Sequence, residues 1–202
     1  MLFRSGVVQA GKYGAMVLLL VGVDDASLEH HLANWKIYEE SCAKHGHVAD
    51  RANWRFTIQM HVAETRDQAK KDCEYGLQKW IEYSNDIVPA ASPPPRDLKD
   101  PVQYLIDNQR AIIGTPDDAV AELERIRAKV GGFGGVLLFA HDWANWPATL
   151  RCMELIAEEV RPRLNNTGRF RRDSYDRIAP NQESLRALAR QGVAEEIGRA
   201  HV

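Results

Sequence analysis

Two histidines and their neighbours are the side chains of this sequence best suited to chemistry. His141, Asp142 and Trp143 directly follow the apolar run GVLLFA, where a predicted strand becomes a loop. In parallel α/β folds ligands bind beyond the carboxyl ends of the strands, and in barrels the catalytic residues come from those ends. The alternative is a His–Asp pair that only holds the loop in place, and the sequence does not decide between the two.

The second histidine lies in the strand NWRFTIQMHVAE, whose side chains alternate in polarity. One face carries Trp54, Phe56, Ile58, Met60 and Val62, and the other carries Arg55, Thr57, Gln59 and His61. In a barrel the apolar face would contact the surrounding helices and the polar face would line the interior, which is usually filled by branched apolar residues. The pattern predicts a wet or ligand-bearing lumen, with His61 nearest its active end. An edge strand with a solvated polar face is the alternative.

Alternating strand and helix signals must position these residues. Apolar runs predict three strands, each followed by a helical pattern, at residues 15–22, 54–63 and 135–141. Asp25 is predicted to cap the first long helix, and Thr65 begins a capping box for a single helix that continues to Ser84. Thr115, followed by proline and two acids, predicts a further helix start. Strands alternating with helices indicate an α/β fold with a parallel sheet.

The connections between these elements favour a barrel. Gly131 and Gly132 follow a helix and precede a strand, so they predict a helix C-cap and turn rather than a phosphate-binding loop. The segment ASPPPRDLKDP excludes helix and central strand and is followed by a short helix at 102–110. The strand spacing predicts the C-terminal part of a (β/α)8 barrel, truncated at the N-terminal side. A doubly wound sheet is the competing architecture.

Composition excludes several classes of function. The chain has 202 residues and a net charge of −2, which gives no electrostatic reason to expect nucleic acid or a membrane as partner. The apolar run 15–21 is much shorter than the ~20 residues that span a bilayer. Cys42, Cys73 and Cys152 lie in helical patterns, which suggests reduced thiols in a cytoplasmic protein, and no metal-ligand spacing is present.

Both ends of the chain look non-native. Leu2–Ser5 and Glu196–Val202 can be encoded by complementary nucleotide strings that resemble a sequencing adapter, so residues 1–5 and 196–202 are set apart from the fold. We expect a barrel part at 6–165 with an insertion at about 87–112, and a basic tail at 166–195 with one weak helix at 182–190. Truncation would leave unpaired sheet edges, and apolar side chains of Trp54 or of the opposite face would meet water, so self-association is expected.

Four stretches carry a resemblance to a known family. They are AGKYGAMVLLL, IGTPDDAVAELERI, GGFGGVLLFAHDWANW and the helix ending EEVRPRL, which together span most of residues 6–165. In order and spacing they resemble the luciferase-like flavin-dependent monooxygenases, in the branch that includes limonene monooxygenases. The family fold is a (β/α)8 barrel with an insertion after the seventh strand, where ASPPPRDLKDP falls. The resemblance implies that this chain is a C-terminal fragment holding strands six, seven and eight.

The resemblance also implies site residues. His141 and His61 would be the catalytic histidines that steer protons, Trp143 an aromatic wall beside the flavin, and Gln59 and Asp142 the substrate-facing residues. The FMN phosphate would lie at the start of the first helix, near Ser5, Gly6 and Val7. Ser5 occupies a position where the family often has serine, although it also falls in the stretch set apart as non-native.

For the parent protein, the resemblance implies a monooxygenase that inserts one oxygen atom from O₂ into a small apolar substrate through a flavin hydroperoxide. Reduced FMN would be supplied by a flavin reductase, and the intact protein is expected to be a homo-oligomer. The rival enzyme of the same fold transfers hydride with F420. A catalytically inert fragment that binds flavin or a partner is the alternative from another class, and we expect this chain alone to be inactive.

Overall fold

The computed structural model describes residues 3–20, 22–87 and 93–200, which form two compact units, Met1–Leu164 and Asn165–Val202. Position 21 of the first predicted strand and positions 88–92 of the predicted insertion lie outside the described residues, as do 1–2 and 201–202 of the predicted non-native ends. Each unit is described by itself.

The first unit alternates helices and strands. Its helices are α1 (Phe3–Tyr13), α2 (Asp25–Lys44), α3 (Arg66–Cys73), α4 (Leu77–Asp86), α5 (Pro101–Asp107), α6 (Pro116–Val130), α7 (Trp146–Leu155) and α8 (Arg161–Asn165). Its strands are β1 (Val17–Leu19), β2 (Trp54–Val62), β3 (Ile112–Gly114) and β4 (Gly135–Phe139). A 3₁₀ turn, Arg51–Asn53, precedes β2, and a π-helical segment, Ile156–Val160, joins α7 to α8.

β2 is the central strand of a parallel sheet. Its residues Arg55 and Phe56 pair with β1 and also with β4, so these two strands must lie on opposite edges of β2. β3 pairs with the end of β2, where His61 is the partner of Ile113. All these pairings are parallel, which confirms the prediction of parallel strands near 15–22, 54–63 and 135–141. The edge-strand interpretation of β2 is wrong, because strands bind it on both sides.

Local chemistry explains where the helices begin and end. Thr65 and Thr115 each cap a helix, and Thr115 forms a complete capping box with Asp118. Gly131 has φ 76° and ends α6, as its position after the helix predicts. The cap of α2 is Asp24 rather than the predicted Asp25, since its carboxylate accepts from the backbone of Ser27.

Three predictions about the elements are wrong in detail. The single helix expected from Thr65 to Ser84 is two helices, α3 and α4, with a break at Glu74–Gly76. β3 was missed, because a three-residue strand is too short for its periodicity to be recognised. The tail is mostly helical, with α9 (Arg169–Ile178), a 3₁₀ turn (Ala179–Asn181) and α10 (Gln182–Ala200), rather than carrying one weak helix.

The helix-facing side of the sheet contains the main core. Trp54, Phe56, Ile58 and Val62 are at most 2% exposed and pack with residues of α1, α2, α6 and α7. A second buried cluster gathers α3, α4, α5, Ala111, Ile113 and Trp143 above the end of β2. This cluster includes Ile113, the strand partner of His61, so His61 is buried and the predicted wet lumen is covered there. Thr57, two positions before Gln59 on the same face, is also buried, and its hydroxyl donates to the carbonyl of Leu19.

Towards the amino end of β2, the same face of the sheet exposes apolar side chains of the two neighbouring strands. Leu18 of β1 and Leu137 of β4 are both 49% exposed, and Phe139 is 38% exposed. Parallel register puts Leu18 beside Arg55, Leu137 beside Thr57 and Phe139 beside Gln59, so these side chains share one face. Trp54 itself is fully buried, so the apolar exposure expected from truncation falls on the opposite face.

Within the part of the chain that the structure describes, no helix combines the length and the apolar character needed to cross a membrane.

Candidate active site at the carboxyl end of the sheet

His141 lies two residues beyond the end of β4 and is surrounded by aromatic rings. Its ring centroid is 5.3 Å from Phe139 and 5.6 Å from Trp143, and both rings are nearly parallel to the imidazole. Trp80 of α4 lies 5.3 Å away at an interplanar angle of 48°. The imidazole therefore sits among three flat apolar surfaces at the carboxyl end of the parallel sheet.

Gln59 gives His141 a polar partner. The side-chain amide nitrogen of Gln59 lies 3.4 Å from Nε2 of His141, so the amide donates and the imidazole nitrogen accepts. An imidazole that accepts at Nε2 is neutral and carries its proton on Nδ1. Burial lowers the pKa of His141 below its ordinary value, and the charge of Asp142 opposes this only in part. Geometry and electrostatics both favour a neutral His141.

Trp143 is held by the break between α3 and α4. The backbone N–H of Gly76 donates to the carbonyl of Trp143 at 3.0 Å, and the indole packs edge-on against Trp80 with 5.2 Å between ring centroids. A Cβ on Gly76 would lie 1.8 Å from the carbonyl oxygen of Asp142, so only glycine permits this approach. The indole Nε1 of Trp143 is buried and has no acceptor among the described residues.

His61 has a different environment from His141. It is 5% exposed, and its Nε2 lies 3.1 Å from Oδ2 of Asp72 on α3. The other carboxylate oxygen of Asp72 accepts from the side-chain amide of Gln68 at 2.6 Å. Near this pair, burial and then the charge of Asp72 raise the pKa of the Cys73 thiol to about 12, so that thiol stays protonated.

The predicted site residues fall into two groups. Gln59, His141 and Trp143 come together, Asp142 is exposed beside them, and His61 lies two residues beyond Gln59 on the same face of β2. Ser5, Gly6 and Val7 lie on the first turns of α1. Val7 is 1% exposed in the main core, whereas Trp143 belongs to the second cluster, so the structure does not bring these two together.

Sequence reasoning missed three residues of this site. Trp80 appeared only as part of a helical stripe, and Phe139 only as part of an apolar strand. The alternation of β4 offered a signal for Phe139, since it is two residues before His141 and therefore shares its face. Asp72 is 11 positions from His61, and nothing in the spacing connects the two.

The arrangement defines a class: an α/β protein with an aromatic, histidine-bearing site beyond the carboxyl ends of parallel strands. No family model matches the sequence. The chain is 38% identical over 161 residues to limonene 1,2-monooxygenase from Rhodococcus erythropolis, covering 80% of this chain and 41% of the relative. It is 33% identical over 192 residues to 4-hydroxyprotoasukamycin monooxygenase from Streptomyces nodosus subsp. asukaensis, covering 92% of this chain and 51% of that relative.

Solved structures show the same fold. The oxygenating constituent of 3,6-diketocamphane monooxygenase from Pseudomonas putida, a type II Baeyer–Villiger monooxygenase in complex with FMN, matches with a TM-score of 0.58 at 24% identity over 77% of this chain and 44% of that one. Monooxygenase RslO1 from Streptomyces bottropensis also gives 0.58, at 20% identity over 80% of this chain and 45% of the other.

The chain is thus a relative of the luciferase-like flavin-dependent monooxygenases, and the resemblance stated from the sequence is confirmed. It spans about half the length of the relatives that it matches.

Proposed function

We propose that this chain is part of a flavin-dependent monooxygenase that binds FMN beyond the carboxyl ends of β2 and β4. The observation that carries the proposal is the neutral His141 enclosed by Phe139, Trp80 and Trp143, in a chain 38% identical to limonene 1,2-monooxygenase. We also propose that the sheet is the C-terminal part of a (β/α)8 barrel. The uncovered apolar face and the exposed side chains of β1 and β4 support this, because further strands would cover them.

The residues present fit a flavin. Phe139 is 38% exposed and offers a flat apolar surface to a planar ring system, while the buried Trp143 packs against His141 from behind. Ring stacking contributes about 0.5–1.5 kcal/mol beyond the apolar area that it buries. The indole Nε1 of Trp143 is a buried donor without an acceptor among the described residues, and a ring carbonyl of FMN would supply an acceptor. At the start of α1, Gly6 has open space where a Cβ would be, which leaves room for a phosphate beside helix N–H groups.

Bound reduced flavin supplies the electrons with which O₂ is activated for oxygen transfer to the substrate. The chain supplies the surroundings. In a neutral His141, Nε2, which accepts from the Gln59 amide, can instead accept a proton at the carboxyl end of the sheet, and three aromatic rings pack around the imidazole. Leu137 and Phe139 give the uncovered face an apolar surface for a small apolar substrate, with Gln59 and Asp142 beside it. Delivery of reduced FMN by a reductase and a homo-oligomeric state of the whole protein belong to the same proposal.

A titration with matched variants tests the flavin site. We expect weak, saturable binding of FMN to the purified chain, measured by flavin fluorescence. Trp143→Phe should weaken binding at least about tenfold, because it removes the unpartnered indole N–H and changes the packing that holds His141. Trp146→Phe is the control, since Trp146 follows in the same stretch but is 66% exposed. Equal effects of the two substitutions, or no FMN binding at all, would contradict the proposal.

The type of reaction needs a second measurement on the whole protein. Monooxygenation requires O₂, whereas hydride transfer with F420 does not. Turnover by the full-length protein under anaerobic conditions with F420 would exclude monooxygenation, while O₂ uptake that depends on reduced FMN and on an apolar substrate would support it. Saturable FMN binding without any turnover by the full-length protein would favour the non-catalytic alternative.

A further inference from the structure

The contact between His61 and Asp72 determines which nitrogen of His61 carries a proton. An ionised carboxylate can only accept hydrogen bonds, and Oδ2 of Asp72 lies 3.1 Å from Nε2 of His61. The Nε2 atom must therefore be the protonated nitrogen. In a neutral imidazole this leaves Nδ1 as the acceptor.

The carboxylate is itself held in place. Its Oδ1 accepts from Gln68, which lies one helical turn earlier on α3, and α3 begins at the cap formed by Thr65. The side chains of His61 and Asp72 are only 6% and 13% exposed. A buried donor that loses its acceptor is costly, so the two side chains fix each other's orientation.

The two thiols near Asp72, those of Cys73 and Cys152, stay protonated and so do not take the Nε2 proton of His61. The Cys73 thiol stays protonated, as described above. Burial also raises the pKa of the Cys152 thiol, which in addition accepts from the backbone N–H of Val62 at 3.2 Å. Asp72 is thus the charged group that contacts His61 among the described residues.

The two histidines are consequently held as opposite tautomers of the neutral imidazole. His141 accepts from Gln59 at Nε2 and carries its proton on Nδ1, whereas His61 donates from Nε2 and accepts at Nδ1. Gln59 and His61 are two residues apart on one face of β2, so both imidazoles lie near the same end of the sheet.

We propose that Asp72 is a positioning residue for His61: it holds the proton on Nε2 and so makes Nδ1 the nitrogen that accepts a proton or hydrogen bond from a ligand at the carboxyl end of the sheet. The position of the proton follows from the 3.1 Å contact with an ionised carboxylate, and the role toward a ligand rests on the proposed function.

Nitrogen-15 NMR of histidine-labelled chain tests this arrangement. The ¹⁵N shift of an imidazole nitrogen differs between its protonated and unprotonated form, so a spectrum recorded at pH 8 shows which nitrogen of His61 carries a proton. His61→Gln identifies the signals of His61. We expect a protonated Nε2 and an unprotonated Nδ1, with slow exchange of the Nε2 proton with water. A proton on Nδ1, or an even mixture, in the unsubstituted chain would overturn the proposal.

Three variants separate positioning from general destabilisation. Asp72→Ala should accelerate exchange of the His61 Nε2 proton at least about tenfold, because the charged acceptor is lost. Asp72→Asn keeps an oxygen acceptor and should preserve the Nε2 proton with intermediate exchange. Asp67→Ala is the matched control, since Asp67 lies in the first turn of the same helix and does not contact His61. Equal exchange in Asp72→Ala and Asp67→Ala would overturn the proposal.

Addition of FMN to the same samples keeps the two proposals apart. We expect FMN to shift Nδ1 of His61 more than Nε2. If the proton lies on Nε2 and depends on Asp72 but FMN moves neither signal, Asp72 still positions His61 and the proposed flavin site is wrong. If FMN binds and shifts Nε2 more than Nδ1, the role of Asp72 toward the ligand is refuted.

Discussion

Replacement of Gly76 by alanine should damage the site through a backbone clash. The new Cβ would lie 1.8 Å from the carbonyl oxygen of Asp142 and 2.9 Å from its carbonyl carbon. Ordinary contact needs roughly 3.4 Å between such atoms, so the 141–143 loop or the start of α4 must move by about 1.5 Å. Gly76 has φ −134°, which alanine tolerates, so the cost comes from the contact and not from the backbone angle.

A displacement of that size should cost about 1–3 kcal/mol of unfolding free energy. It should also separate His141 from Gln59, which are already 3.4 Å apart. Urea denaturation measures the first effect, and the ¹⁵N shifts of His141 measure the second. Gly134→Ala is a matched control, because its Cβ would lie 1.8 Å from the carbonyl oxygen of Ala52, away from His141. The reasoning would be refuted if the free energy of unfolding of Gly76→Ala lay within about 0.5 kcal/mol of that of the parent chain. Equal changes of the His141 shifts in both variants would also refute it.

Three further predictions follow from the described contacts. Burial holds the pKa of His141 below its ordinary value near 6.5, so just below that pH the unfolded chain binds more protons than the folded chain. The free energy of unfolding should therefore fall as the pH drops from 6.5 through the folded pKa. The denaturation midpoint of His141→Gln should change less with pH than that of the parent chain. Thr115→Ala should lower the free energy of unfolding by about 1 kcal/mol, because it removes the capping box of α6. Thr167→Ala is the control and should change it little, because Thr167 lies outside any helix. Equal losses in the two variants would contradict the assignment of Thr115 as the cap. The chain should self-associate through its uncovered face, so light scattering should show smaller particles for Leu137→Lys with Phe139→Lys than for a Tyr83→Lys control, and a strictly monomeric parent chain would show this wrong.

The sequence predicted the strands that carry the site because their patterns are long or well bounded. β2 alternates over nine residues, and β4 begins at the second glycine of the pair Gly134–Gly135 and ends two residues before His141. Parallel packing brings the ends of such strands together, so the meeting of Gln59 and His141 could be anticipated without coordinates. Gly131 and Thr115 likewise have local roles that need only their neighbours.

What the sequence could not show depends on contacts between distant residues. The break at Gly76 is invisible in the helical stripe, because a glycine within a helix usually costs only about 1 kcal/mol, and its need here comes from the carbonyl of Asp142. The pairing of His61 with Asp72 likewise depends on how α3 packs over β2. The burial of His61 under that helix is why the predicted wet lumen is closed at this end.

The tryptophan indole signals give the most direct test of the flavin site. The chain has five tryptophans, and each contributes one Nε1–H signal to a ¹H–¹⁵N spectrum. Trp80 and Trp143 flank His141, Trp35 and Trp54 pack together near α2, and Trp146 is exposed. On addition of FMN we predict shifts of the Trp80 and Trp143 signals with the other three unchanged. Shifts confined to Trp35, Trp54 or Trp146, or no shifts at saturating FMN, would contradict the account.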